Sequence, residues 1–78
     1  MTFNERMKIS QRIAERRNEL HVTQEDFADK AGISVRTLQR AENCKLPRDI
    51  KIWIALAECL DTSLDYLIWG DEKPKIIS

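Results

Sequence analysis

The sequence predicts an all-α, compact domain of five short helices, and three observations lead there. Its 78 residues include only two Gly and two Pro, so little interrupts a helical period. Side chains that cap helix starts stand before apolar positions spaced three and four apart, at Thr23, Ser34, Asp49 and Ser63. The longest apolar run, Ile52 to Ala57, is too short to span a membrane. The opening MTFNERMKIS carries charges where a signal peptide needs an apolar stretch. A chain of this size withdraws only about 60% of its unfolded surface on folding, so the core is small and little apolar surface is left to line a pocket.

The elements follow in order. The first helix is expected from near Asn4 to Leu20, with Ile9, Ile13 and Leu20 as a sparse apolar stripe and several Arg on its flanks. The second starts at Thr23-Gln24-Glu25-Asp26, where the Thr23 hydroxyl can cap the helix while Asp26 reaches back, and Val22 and Phe27 bracket that start as a hydrophobic staple. It should end near Lys30, with Gly32 free to take a positive φ. The third is capped by Ser34, with Ile33 and Leu38 as its staple. A fourth, capped by Asp49, carries Ile50, Trp53, Ile54, Leu56, Ala57 and Leu60 and should be central. The fifth, capped by Ser63, presents Leu64, Leu67 and Ile68 before Gly70 ends it. Residues 1–70 then form one domain and residues 71–78 a polar tail.

Thr23 and Ser34 are eleven residues apart, which makes the second and third helices a pair joined by a tight turn, a helix-turn-helix. Ala28 is small enough for the two to lie close, and Leu38 and Ala41 face the core. Steps of 100° place Arg36, Gln39, Arg40 and Asn43 in one arc opposite Leu38 and Ala41, so the arc points outward as a unit. Glu42 lies 40° from Leu38 and turns inward.

Net charge is zero, but its distribution is uneven. Lys30 to Arg48 holds five basic residues and one acid, a local +4, leaving −4 for the rest. Phosphates feel charges within about 10 Å at 0.1 M salt, so the local excess matters more than the total. Two cysteines fifteen residues apart, Cys44 and Cys59, form neither a disulfide framework nor a zinc pattern, and a reducing cytoplasm is the simplest setting. No Gly-rich phosphate loop, paired-carboxylate site, metal cluster or Ser/His/Asp set is present, so neither an enzyme nor a cofactor is expected. His21, the sole histidine, reads as a helix-end residue, Cys59 as a small buried hydrophobe and Trp53 as core. Tyr66 and Trp69 fit either the core or a dimer contact.

The run VTQEDFADKAGISVRTLQRAENCK, followed by IALAECLDTSLDYLIWG, resembles the phage repressor and Cro type of helix-turn-helix, often called the XRE family. The likeness covers roughly Ile9 to Trp69 and rests most on Thr23-Gln24, Ala28, Gly32, Leu38, Glu42-Asn43 and Ser63-Leu64-Asp65. It implies a lambda-repressor-like DNA-binding domain that works as a homodimer on a two-fold symmetric double-stranded DNA operator. It also implies a partly buried salt bridge between Glu42 and an arginine of the first helix, for which Arg17 is suitably placed.

The outward arc suits that role on its own chemistry. A B-DNA major groove about 12 Å wide admits a helix, and its N-terminal turns reach base edges. Ser34, Val35 and Arg36 are then nearest the bases, with Gln39 and Arg40 one turn on. Arg suits guanine, Gln suits adenine, and Val35 could touch a thymine methyl. Phosphate contacts are expected from Thr23 and Gln24 at the start of the second helix, and from Asn43, Lys45 and Arg48 beyond the third. The plainer readings are solvated surface or a carboxylate partner for Arg36 and Arg40, a helix-end cap for Asn43, and an unengaged charge for Lys45.

The expected protein is a cytoplasmic transcriptional regulator, a dimeric repressor reading a palindromic operator. A small phage or prophage regulator, a restriction-modification controller and an antitoxin all fit. With no room for a separate ligand-binding or protease domain, control is expected from its concentration, a partner protein or competition for operators. The alternative is a protein-interaction module on the same fold. Cys44 stands where the resemblance favours glycine. A left-handed residue there would cost about 1 kcal/mol, so a different loop into Pro47 is expected, a redox-active thiol being the further alternative.

Overall fold

Each helix begins where a short side chain can take up a free amide. In a computed structural model, which describes residues 1–71, the order is α1 (Phe3–Glu19), α2 (Gln24–Ala31), α3 (Val35–Ala41), α4 (Ile50–Cys59) and α5 (Leu64–Trp69). Thr23, Ser34, Asp49 and Ser63 accept amide hydrogen bonds from Asp26, Thr37, Lys51 and Tyr66 at 2.9–3.1 Å. The boundaries fall within a residue or two of the expected ones. At Thr23 the cap is one-sided, because Asp26, a methylene shorter than Glu, makes no return bond to the Thr23 amide. The reciprocal capping box forms at Thr2 and Glu5 instead, with bonds of 3.0 and 3.1 Å, and starts α1 one residue earlier than expected. The Thr2 hydrogen bonds hold the Glu5 carboxyl below its usual pKa. The expected tail, 71–78, lies outside the described residues except for Asp71.

The core is one cluster fed by every helix: Ile9 and Ile13, Phe27, Leu38, Leu56 and Leu60, and Leu67, with Ala28, Ala41 and Ala57 where backbones approach closely. Trp53 belongs to it, and its indole N–H donates to the Pro47 carbonyl at 2.8 Å, pinning the α3–α4 loop. Cys59 is half-buried rather than fully inside. Ile50 and Ile54, expected inside, are instead exposed. Ile54 lies about 100° round the helix from Trp53, beyond the arc that Trp53, Leu56, Ala57 and Leu60 bury. Among the described residues no helix is long and apolar enough to cross a membrane.

The arginines of α1 close other helices. Arg12 Nη1 donates to the Leu67 and Ile68 carbonyls at 3.2 and 3.0 Å, and Arg16 Nε donates to the Leu60 carbonyl at 2.8 Å. A helix end leaves carbonyls without partners and carries partial negative charge, so a guanidinium there is favourable twice over. Gly70 makes room for this: a Cβ on it would stand 2.5 Å from Arg12 Nε, and its φ is +59°. Gly70→Ala should therefore push Arg12 off both carbonyls and lower stability by about 2 kcal/mol. Gly32→Ala, where φ is +72° and a Cβ would meet nothing, should lose only about 1 kcal/mol. Urea unfolding of the two variants measures the difference.

Cys44 departs from the sequence expectation. Its φ is +67°, the left-handed turn itself rather than a different loop. The Lys45 N–H reaches the Arg40 carbonyl at 2.9 Å, the bond that closes such a helix ending. His21 and Asp61 are left-handed likewise, with φ of +57° and +53°.

Candidate nucleic-acid interface

The turn between α2 and α3 is built by backbone satisfaction. Gly32 ends α2 in a left-handed conformation, its N–H bonds the Asp29 carbonyl at 3.2 Å, and the Ile33 N–H bonds the Ala28 carbonyl at 3.0 Å. Ser34 then opens α3, whose inward residues Leu38 and Ala41 are fully buried. With these two as anchors and Val35 half-buried beside them, Arg36, Gln39 and Arg40 are left exposed.

On that outer side Arg36, Gln39, Arg40, Asn43 and Lys45 line one shallow concavity of about 400 Å³. A neighbouring concavity of about 480 Å³ shares Arg40 and Lys45, adds Arg48 and the carboxylate of Asp49, and is lined also by the apolar Leu46, Pro47 and Ile52. Arg36, Arg40, Lys45 and Arg48 are exposed and make no ion pair with any described residue. The carboxylate partner considered for Arg36 and Arg40 is thus not found among the described residues. Thr37, which sequence reasoning passed over, lines the second concavity beside Arg40. Its place three residues after the Ser34 cap was the available signal.

Other expected site residues are more occupied. The Ser34 hydroxyl accepts from the Thr37 amide and shares a 2.8 Å bond with the Thr37 hydroxyl. Val35 is half-buried against the core, so only part of it faces outward. The Asn43 amide donates to the Gln39 carbonyl at 2.7 Å, so Asn43 takes the helix-end role that was its plainer reading. Thr23 is exposed and its oxygen caps α2, leaving its hydroxyl hydrogen available. Gln24 is half-buried and donates one amide hydrogen to Glu42 Oε1 at 3.1 Å, which leaves the other free.

Glu42 joins these pieces. Arg17 meets it through two parallel bonds, Nε to Oε2 at 2.7 Å and Nη2 to Oε1 at 3.1 Å, while Arg17 Nη1 donates to the Val22 carbonyl at 2.7 Å. The two side chains are only 12% and 7% exposed. The bond to Glu42, which outweighs the opposing effect of burial, holds the Arg17 guanidinium above its ordinary pKa. The network ties α1, the start of α2 and the end of α3 together. It also neutralises the one acid between Lys30 and Arg48, so the charged side chains that line the first concavity are all cations.

This pairing of a short, outward-facing basic helix with a tightly turned partner defines a helix-turn-helix, and residues 13–67 match the family model described as Helix-turn-helix. The chain belongs to that family. It is 33% identical over 68 residues to the uncharacterized HTH-type transcriptional regulator YqaE of Bacillus subtilis (strain 168), a match that takes in 87% of this chain. The chain spans 59% of that relative's length. Among solved structures it is similar to the P22 c2 repressor protein in complex with synthetic operator 9T, with a TM-score of 0.76 and 28% identity over 81% of this chain and 96% of that one.

Proposed function

We propose that the chain is a sequence-specific double-stranded DNA-binding transcriptional regulator, acting in the cytoplasm as a homodimeric repressor on a palindromic operator and catalysing no reaction. The observation that carries this reading is the outward face of α3, where Arg36, Gln39, Arg40, Asn43 and Lys45 share one concavity and none of its cations has an acid partner among the described residues. The operator complex of the similar P22 c2 repressor supports it. Arg36, Gln39 and Arg40 read base edges, and Lys45 and Arg48 grip phosphates past the helix end. Gln24 offers its free amide hydrogen to a phosphate at the start of α2. Two copies would place their recognition helices about 34 Å apart on one DNA face. Ile50 and Ile54, exposed one turn apart on α4, and Tyr66 and Trp69 on α5 are large apolar side chains open to a second copy. They also favour the second reading, a module that binds a partner protein.

Selection of duplexes from a random pool separates the two. DNA binding should yield a two-fold symmetric site whose affinity falls with salt. With Lys45 and Arg48 engaged in each of two subunits, the log–log slope should be about −3.6 or steeper, at −0.9 per phosphate. A flat slope, or no enrichment of any duplex, would overturn the DNA reading in favour of the protein partner.

A further inference from the structure

Ser10 is the only polar residue fully buried among the described ones, at 1% exposure, and it sits within α1 beside the core residue Ile9, where it caps nothing locally. Its hydroxyl instead accepts the Cys44 N–H at 2.8 Å, across 34 residues. The other left-handed residues differ in this respect. His21, Gly32, Asp61 and Gly70 each donate their N–H to a carbonyl of the helix they terminate: Asn18, Asp29, Glu58 and Tyr66. Among the described residues, only at Cys44 is the left-handed residue's own N–H taken up by another element.

We propose that Ser10 is a positioning residue for the DNA-contacting face, its hydroxyl fixing the left-handed turn at Cys44 and thereby the placement of Lys45 and Arg48 beside Arg40. The proposal rests on the DNA reading above. A side chain other than glycine in a left-handed conformation is disfavoured, and the Cys44 N–H, unlike those of His21 and Asp61, takes no carbonyl of its own helix, so the Ser10 hydroxyl is what keeps this turn fully populated. Ser10 supplies it from a helix whose own position is set by the core. The turn in turn sets the site, because Arg40, whose carbonyl closes it, and Lys45, which follows it, line both concavities. If the turn relaxes, only a fraction of molecules present the cations in register, and affinity falls by that fraction.

Four variants test this against duplexes selected with the wild-type protein: Ser10→Ala, Cys44→Gly, the two combined, and Ile13→Val. Ser10→Ala should speed hydrogen exchange at the Cys44 and Lys45 amides relative to that of Leu38. It should weaken binding roughly three- to tenfold, with relative preference among duplexes unchanged. Adding Cys44→Gly, which relieves the left-handed penalty, should restore affinity to within about twofold of Cys44→Gly alone. Ile13→Val, a buried α1 substitution that also lowers stability, should leave affinity unchanged in the folded protein. Unchanged affinity in Ser10→Ala, no rescue by glycine, or an equal loss in Ile13→Val would each overturn the positioning role while leaving the DNA reading intact. Failure of the wild-type protein to bind any duplex would overturn both, even with the exchange result as expected.

Discussion

Glu42→Ala should lower stability by about 3 kcal/mol or more, which for a domain of this size moves the thermal midpoint down by roughly 12 °C or more. The reason is what the substitution leaves behind. Arg17 would keep its charge in a site where it is 12% exposed, with only the Val22 carbonyl to receive its hydrogens. Gln24 would lose the acceptor that orients its amide. Replacing both partners by apolar residues of similar volume, as Arg17→Met with Glu42→Leu, should recover most of the loss, since no charge then stays buried. Thermal unfolding of the two single variants and the double variant completes the cycle. A drop below about 1 kcal/mol in Glu42→Ala would mean that water screens the pair as it does a surface ion pair.

Arg36→Ala and Lys45→Ala should part company on DNA. Both cations are exposed and line the same concavity, yet Arg36 stands in the first turn of α3 and Lys45 beyond its end. Removing Arg36 should cost about 1 to 3 kcal/mol of discrimination in each half-site, relaxing preference at one base pair. Removing Lys45 should weaken all duplexes evenly and reduce the salt slope by about 1 per subunit. Competition binding over a set of single-base operator variants, repeated at several salt concentrations, reads both effects. Equal loss across all sequences for Arg36→Ala would reassign it to the phosphate backbone.

The caps and the α2–α3 turn were legible because their chemistry is local. A hydroxyl three residues before an amide, or a glycine after the last periodic residue, states its role within one helical turn. The same rule applies at Thr2–Glu5, where the hydroxyl and the carboxylate stand three residues apart. The outward arc was legible too, since 100° steps place Arg36, Gln39, Arg40 and Asn43 opposite Leu38 and Ala41 without tertiary information. The inward turn of Glu42 came from the same geometry, but Arg17 as its partner came from resemblance. The errors lie where the partner is distant. Arg12 and Arg16 close helices 44 to 56 residues away, and no spacing rule reaches that far. Cys44 was expected to avoid the left-handed region because the sequence shows the strain of a non-glycine residue and hides the Ser10 hydroxyl that offsets it.

By itself the sequence determined five helices, the starts of the last four and the polar face of α3, because each depends on bonds and periodicities that close within a turn or two. Tertiary structure decided which basic residues are engaged within the fold and which stay exposed without an acid partner. Arg12, Arg16 and Arg17 are spent on carbonyls and on Glu42, whereas Arg36, Arg40, Lys45 and Arg48 meet no acid among the described residues. A guanidinium has the same chemistry in either place, and only the packing of α1 against the ends of other helices brings orphan carbonyls within its reach.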